Sequence, residues 1–308
     1  MLIYKEMRGA EGGAPYKSHY FMEGLIMVTG IAHNAIRVTD MDKAVDFYCN
    51  AMGFTKAFEI ANAKGEPWIV YIKVCKNAFV ELFFDGVAYN DPAYSSSRIG
   101  YHHWCVSVGD IDGIAKLAYD KGLLKQPEAG TGSDENRNIW IHDPDGNALE
   151  FVSYSPDSPH MKNNEGEYDY SAPGYTGIGH MAFVVSDMDR ALDFYCGKLG
   201  FKHIYSLNDK AGNPWLNYLR VKDGSYIELF YGGVENAATG KDPAGFMHMC
   251  LECDDVFATV EDLSAKGVPI DATPKQGSDL NVQAWTHDPD GNKIELMSID
   301  PSSPQANA

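Results

Sequence analysis

The sequence predicts an α+β protein built from four similar βαβββ modules, and three observations support that prediction. The chain of 308 residues is too long for one small domain and suits two domains of ordinary size. The segment that begins at Ile31 recurs from Ile178, and IHDPDGNALEFVSYSPDSP recurs as THDPDGNKIELMSIDPSSP. A segment with weaker similarity to the one at His33 begins at His103, so each half of the chain contains two modules.

Each module is predicted to contain one strand, one short helix and then three more strands. An alternating, β-branched stretch predicts the first strand. An Asp-rich start followed by apolar residues at helical spacing predicts the helix. In the first module this helix is expected over 42–52, with Gly53 as its stop, and in the third over 189–199, with Gly200 as its stop.

The two DPDGN segments predict turns between neighbouring strands. They occupy 143–147 and 288–292. Proline fixes φ, aspartate bonds to nearby backbone and glycine accepts a positive φ, so this composition is typical of a tight turn.

The limits of the repeat predict the domain boundaries. The stretch between the two halves is polar and rich in Ser, Pro, Gly and Asn, as expected of a linker. The first residues of the chain have no counterpart in the repeat. We therefore predict an N-terminal arm (1–28), a first domain (29–153), a linker (154–176), a second domain (177–300) and a C-terminal tail (301–308).

Composition limits the classes of partner. With 25 Lys and Arg against 43 Asp and Glu, the net charge of -18 argues against nucleic acid and against anionic membranes, which both attract positive surfaces. No stretch reaches the ~18 apolar residues of a membrane span. Six cysteines without dense spacing favour a reducing compartment. We expect a cytoplasmic protein with a small-molecule substrate and leave a homodimer open.

Histidine and glutamate occupy matching positions in all four modules. Each histidine lies near the start of a first strand and each glutamate in a last strand: His33 with Glu81, His103 with Glu150, His180 with Glu228, and His248 with Glu295. A carboxylate among apolar strand residues is costly to bury unless it is paired or binds a metal. Two facing modules would gather two imidazoles and two carboxylates around one point. Such a set suits Ni, Co, Mn, Fe or Zn and leaves coordination positions for substrate oxygens.

Strand alternation predicts which other side chains face the metal side. Arg37 lies four residues after His33 and therefore on the same face of its strand. Its counterpart in the second half is Val184, so the two clefts should prefer different ligands. Tyr226 is a candidate hydrogen-bond or proton donor. The residues expected on this side are Phe79, Phe83, Cys105, Tyr226, Phe230 and Cys250.

At these residues the chain resembles the vicinal oxygen chelate superfamily, which includes glyoxalase I, epimerases, extradiol dioxygenases and antibiotic-resistance proteins. The strand histidines, the DFY helices, the HDPDGN turns and the E-F or E-L strands carry the resemblance, over 31–155 and 178–300. It implies four βαβββ modules paired into two glyoxalase-like (vicinal oxygen chelate) domains. It also implies that Arg37 contacts the glutathione part of a substrate, as a matching arginine does in glyoxalase I-like enzymes. The sequence leaves open whether modules pair within a half or first with fourth.

The His-Glu-His-Glu set resembles that of glyoxalase I and the epimerases. It implies a divalent-metal-dependent lyase or isomerase that stabilises an enediolate of a chelated α-hydroxy carbonyl or thioester, with Glu150 or Glu295 exchanging the proton. One alternative is an Fe(II) extradiol ring-cleavage dioxygenase that uses a C-terminal triad of His180, His248 and Glu295. Glu228, as a fourth ligand, favours the lyase or isomerase. Another alternative is a binding or resistance protein whose metal anchors a small molecule.

Overall fold

The computed structural model describes residues 28–88, 98–166, 168–235 and 244–308. The predicted N-terminal arm lies outside the described residues except for Val28, which begins the first strand. In the described part of the chain, no helix combines the length and the apolar composition needed to cross a membrane.

Each module contributes four strands, numbered here in chain order. The first half contains β1 (Val28–Arg37), β2 (Thr55–Ala61), β3 (Pro67–Cys75), β4 (Ala78–Phe83), β5 (Gly100–Val108), β6 (Gly130–Thr131), β7 (Arg137–His142) and β8 (Ala148–Ser153). The second half contains β9 (Tyr175–Val184), β10 (Lys202–Asn208), β11 (Pro214–Lys222), β12 (Ser225–Phe230), β13 (Gly245–Cys253), β14 (Ile270–Gln276), β15 (Val282–His287) and β16 (Lys293–Ser298). The α+β class and the four βαβββ modules are confirmed.

The strands form two eight-stranded sheets, and each sheet combines one module from each half of the chain. The first sheet has the order β14-β15-β16-β13-β1-β4-β3-β2, so module one pairs with module four. The second has the order β10-β11-β12-β9-β5-β8-β7-β6, so module two pairs with module three. Strands β1 and β13 run antiparallel at the centre of the first sheet, as β5 and β9 do in the second. The boundaries 29–153 and 177–300 therefore describe the repeat along the chain and remain a prediction as domains.

The four module helices begin in the same way. They are α1 (Met41–Val45), α2 (Ile111–Asp120), α4 (Met188–Leu192) and α5 (Val256–Ala265), and a further short helix, α3 (Pro159–Lys162), lies in the predicted linker. An aspartate precedes each module helix and accepts a hydrogen bond from a backbone N–H of the first turn: Asp40, Asp110, Asp187 and Asp255. These N-caps satisfy donors that the helix itself leaves unpaired, which is why the Asp-rich motif starts each helix.

The DFY segments depart from regular α-helix. After α1 the chain continues as a π-helical turn over Asp46–Ala51, and after α4 over Asp193–Lys198. Two consecutive aromatic side chains in the first of these turns, Phe47 and Tyr48, are both buried. The expected helix spans are thus helical, but only their first halves are α-helix.

Buried hydrogen bonds tie each DFY segment to a DPDGN turn in the other sheet. The hydroxyl of Tyr48 donates to Asp143 Oδ2 at 2.9 Å, and that of Tyr195 donates to Asp288 Oδ2 at 2.9 Å. The backbone N–H of Asn147 in turn donates to Asp143 Oδ1. The DPDGN turns therefore close hairpins, as predicted, and also anchor one sheet to the other.

The largest apolar cluster contains residues of both sheets, including Ile36, Trp104, Phe183 and Met249. Alternation along the strands directs the histidines to the opposite face of each sheet. One polar residue lies on the core side of β1: Asn34 is fully buried, and neither polar atom of its side chain has a hydrogen-bond partner among the described residues. Its repeat counterpart is Met181.

Candidate metal centres

The eight predicted histidines and glutamates come together as two clusters, one in each sheet. Site A consists of His33, Glu81, His248 and Glu295, and site B of His103, Glu150, His180 and Glu228. Each site takes one His-Glu pair from each of its two modules. Because the central strands run antiparallel, equivalent residues of the two modules approach each other across the middle of the sheet.

Site A is a compact cluster of four donors. The Nε2 atoms of His33 and His248 lie 3.2 Å apart. Glu295 Oε2 lies 3.1 Å from the first and 3.2 Å from the second, and Glu81 Oε2 lies 3.5 and 3.4 Å from them. All four side chains are buried, and the four ligand atoms lie within 4.8 Å of one another. Two imidazoles and two otherwise costly buried carboxylates aimed at one point fit a divalent ion well.

Site B contains the same residue types at similar distances. His103 Nε2 lies 2.8 Å from His180 Nε2, 3.4 Å from Glu150 Oε2 and 3.3 Å from Glu228 Oε2. His180 Nε2 lies 3.0 Å from Glu150 Oε2 and 3.5 Å from Glu228 Oε2. The ligand atoms fall into two overlapping groups, His103 with His180 and Glu228, and Cys105 with Glu150 and His180. This donor set also fits a divalent ion.

Burial and close pairing shift the pKa values at site A. Burial opposes charge on His248, but hydrogen bonds to Glu295 and Glu81 raise its pKa to about 9. Burial likewise opposes ionisation of Glu295, and hydrogen bonds with His248 and His33 lower its pKa to about 2. Without a metal, site A therefore holds an imidazolium beside an ionised carboxylate.

At site B the charges are distributed differently. Burial lowers the pKa of His103 to about 3, against the opposing hydrogen bond to Glu150. Burial raises the pKa of Glu228 to about 7. Burial disfavours charge on His180, but its hydrogen bond with Glu150 raises its pKa. Burial disfavours charge on Glu150 as well, but hydrogen bonds with His103 and His180 lower its pKa. The His180–Glu150 contact is therefore the charged pair of this site.

A cavity of about 760 Å³ opens onto site A. Glu81, His248 and Glu295 line it, and so do three cationic side chains: Arg37, Lys275 and Lys293. The repeat counterparts of the three cations are Val184, Gly130 and Ala148, so site B lacks these charges. Sequence reasoning found Arg37 but missed the lysines. Lys293 could have been found, because it lies two residues before Glu295 on the same strand face.

Aromatic residues and part of the linker pack beside site B. The imidazole of His160, on α3, is buried, with its ring centroid 4.4 Å from that of Tyr218 and 4.7 Å from that of Tyr226. The hydroxyl of Tyr205 bonds to His160 at 3.0 Å, and Tyr218 in turn lies 5.8 Å from His180. Sequence reasoning missed His160, although the repeat extends to it: SPH at 158–160 matches SPQ at 303–305.

Tyr226 does not point a free hydroxyl at a ligand. Its side chain is buried, and its hydroxyl donates to Asn164 Oδ1 at 2.7 Å. The predicted substrate-binding tyrosine therefore contributes to the aromatic packing beside site B.

The C-terminal triad considered for ring cleavage is not assembled, because His180 belongs to site B, whereas His248 and Glu295 belong to site A. Module pairing across the halves separates them, which corrects that expectation.

Comparison with known proteins agrees with this architecture. The family model described as Glyoxalase/Bleomycin resistance protein/Dioxygenase superfamily matches residues 30–151 and 177–296. Glyoxalase I of Saccharomyces cerevisiae is 25% identical, over 86% of this chain and 91% of its own length. Lactoylglutathione lyase of Schizosaccharomyces pombe is 24% identical, over 86% of this chain and 95% of its own length.

Solved structures show the same fold. Glyoxalase I from Zea mays aligns with a TM-score of 0.63 at 19% identity, over 87% of this chain and 92% of that one. A putative dioxygenase from Bacillus subtilis aligns with a TM-score of 0.68 at 14% identity, over 91% of this chain and 88% of that one. With both halves matched by one family model and the fold shared, the chain belongs to the Glyoxalase/Bleomycin resistance protein/Dioxygenase superfamily.

Proposed function

We propose that this chain is a divalent-metal-dependent lyase of the glyoxalase I type and that its reaction takes place at site A. The observation that carries the proposal is the cavity in which three residues of the His-Glu cluster and three cationic side chains face the same space. The two fungal relatives described above are named for this activity and align along most of both chains. Their names support a hemithioacetal of glutathione as the substrate.

The cations of the site A cavity would select an anionic substrate. The chain carries a net charge of -18, so most of its surface repels anions. Arg37, Lys275 and Lys293 line the site A cavity beside the carboxylate of Asp279, and a divalent ion would balance the charges of Glu81 and Glu295. The carboxylates of a glutathione adduct are suitable partners, because hydrogen bonds between charged groups are the stronger class. Trp68, Phe83 and Trp285 offer apolar contacts for the remainder of such a ligand.

His33, Glu81, His248 and Glu295 would hold the ion. A divalent ion bound there supplies Lewis acidity, which lowers the energy of negative charge that develops on the substrate oxygens. Glu295 is ionised and can accept the proton from the substrate carbon that bears sulfur and hydroxyl. Returning that proton to the adjacent carbon, while the hydroxyl proton passes from the first oxygen to the second, completes the isomerisation from hemithioacetal to thioester. A substrate that fills the cavity would displace water from around the cluster during the proton transfer.

The test is turnover by the reloaded full-length protein. Metal-stripped protein is reloaded separately with Ni, Co, Mn, Fe or Zn and assayed with the hemithioacetal of methylglyoxal and glutathione. An α-chiral thioester is assayed in parallel, because an epimerase would act on it instead. We expect thioester formation from the hemithioacetal with at least one metal. Failure with every metal, in protein shown to retain the ion, would contradict the proposal.

A further inference from the structure

Cys105 lies between two ligands of site B. In the antiparallel pairing of β5 with β9 it stands opposite His180, and in the parallel pairing of β5 with β8 it stands opposite Glu150. The three ligand atoms, Sγ, Nε2 or Nδ1 and a carboxylate oxygen, lie within 4.8 Å of one another. The thiol is fully buried. A buried cysteine, histidine and carboxylate within this distance form a metal-ligand set in their own right.

The equivalent cysteine at site A provides an internal comparison. Cys250 stands opposite His33 and Glu295 in the same register. Among the residues that the structure describes, however, Cys250 joins no group of three or more ligand atoms within 4.8 Å. Site A already gathers its four nitrogen and oxygen donors within that distance. At site B the thiol of Cys105 lies within that distance of ligand atoms of Glu150 and His180, and Glu150 Oε2 lies 3.0 Å from His180 Nε2.

The buried His160 of α3 distinguishes the surroundings of site B from those of site A. Its ring packs on Tyr218, which lies against His180, whereas the counterpart of His160 at site A is Gln305. The ring of Trp140 lies against His103 at 4.6 Å, as that of Trp285 lies against His248 at 4.7 Å. Structural metal sites have all coordination positions filled by protein, often with thiolate among the ligands, whereas catalytic sites keep a position open. Thiolate ligands favour zinc and other soft ions over Mg or Mn.

We propose that Cys105 is a metal ligand at site B, where its thiolate, with His180 and Glu150, holds a thiophilic divalent ion in a structural rather than a catalytic role. His103 and Glu228 offer the remaining positions. Formation of the sulfur–metal bond releases the thiol proton to solvent, so neither an oxidant nor a reductant takes part. The ion then stabilises the folded state by linking β5, β8 and β9.

Cobalt spectroscopy of the full chain tests this assignment. Metal-stripped protein is titrated with Co²⁺ to two equivalents, and the near-ultraviolet thiolate-to-cobalt charge-transfer band is recorded. We expect the band in the unaltered protein and in Cys250→Ser, the matched control, and its loss in Cys105→Ser. A band that survives in Cys105→Ser, or no band in unaltered protein that binds two cobalt ions, would overturn the proposal.

A second measurement needs no substitution and stands if Cys105→Ser does not fold. X-ray absorption at the zinc edge of doubly loaded protein should show sulfur at ~2.3 Å, averaging roughly half a sulfur ligand per zinc. Spectra fitted by nitrogen and oxygen alone would refute the thiolate ligand. Neither readout depends on turnover, so a sulfur signal without catalysis would defeat only the proposed function at site A.

Discussion

Sites A and B descend from the same repeat and present the same two histidines and two glutamates, yet their surroundings differ. Site A faces a cavity of about 760 Å³ with Arg37, Lys275 and Lys293 on its wall. Site B has Val184, Gly130 and Ala148 at those positions and packs against tyrosines and His160. The lesson is that a duplicated ligand set does not determine a function. The neighbouring side chains give the two sites different charges and different packing.

The largest expected effect is on kcat, and it is tested by making the same substitution at each of the two sites. Glu295→Gln removes the proposed proton acceptor of site A and should lower kcat by roughly 10²- to 10⁴-fold. Glu150→Gln makes the same change at site B and should retain most of the turnover, because site B has no counterparts of Arg37, Lys275 and Lys293. Steady-state kinetics with measured metal content checks both. Equal losses in the two variants would show that both sites react, and a larger loss in Glu150→Gln would reverse the assignment.

The next effect concerns substrate charge. Replacing Arg37 by valine, its counterpart at site B, should raise KM for an anionic substrate about tenfold, equivalent to ~1.4 kcal/mol, with a smaller change in kcat. Lys293→Ala, which also copies site B, should act in the same direction. Kinetics at increasing ionic strength provides the check, because salt should weaken binding in the unaltered protein more than in the variants. An unchanged KM in both variants would remove the argument for an anionic substrate.

A third prediction separates the sites by pH. A metal ligand must be deprotonated, so affinity rises about tenfold per pH unit below the pKa of a group that loses one proton. The pKa of His248 is raised to about 9, chiefly by its carboxylate partners acting against burial, so affinity at site A should climb until about pH 9. At site B burial raises the pKa of Glu228 to about 7, and burial raises that of the Cys105 thiol well above its ordinary value. Because that thiol must also lose its proton to bind the ion, affinity at site B should continue to rise beyond pH 9.

The raised pKa of His248 also predicts how the stability of the metal-free protein depends on pH. Because the folded-state pKa of His248 exceeds the ordinary value of 6.5, its stabilising contribution is complete below that value and is lost as the pH rises through about 9.

The predicted difference in metal affinity is measured by chelator competition at several pH values, with one site disabled at a time. Identical curves for both sites would contradict the difference in charge distribution.

Much of the fold and of the ligand clusters could be predicted from the sequence, because the strands, the helices and the His-Glu positions recur in each module. Matching His-Glu pairs and period-two alternation placed Arg37 and both cysteines on the ligand side. The pairing of modules could not be predicted, because modules two and four carry matching residues and either could pair with the first strand of module one. Lys275 lies on an edge strand with no repeat partner of like charge, and His160 lies in a segment predicted to be a linker. The π-helical turns also escaped prediction, because an apolar periodicity does not distinguish them from α-helix.

The last predicted effect concerns stability rather than activity and lies in the core, where the repeats also differ. Asn34 is buried without a hydrogen-bond partner in the described structure, whereas its counterpart is Met181. Asn34→Met should raise the free energy of unfolding by ~1–3 kcal/mol, because an unsatisfied buried amide is removed. Met181→Asn is the converse control and should lower it by a similar amount. Urea denaturation of metal-free protein provides the measurement, and destabilisation by Asn34→Met would reveal a partner for the amide.

The most direct test of the central claim, that two His-Glu clusters assembled across the halves are metal sites, is elemental analysis of the full chain after reloading and desalting. The unaltered protein should retain two divalent ions per chain. His248→Ala, at site A, and His103→Ala, at site B, should each retain one, and the double variant should retain none. An unaltered, folded protein that retains no ion would contradict the claim.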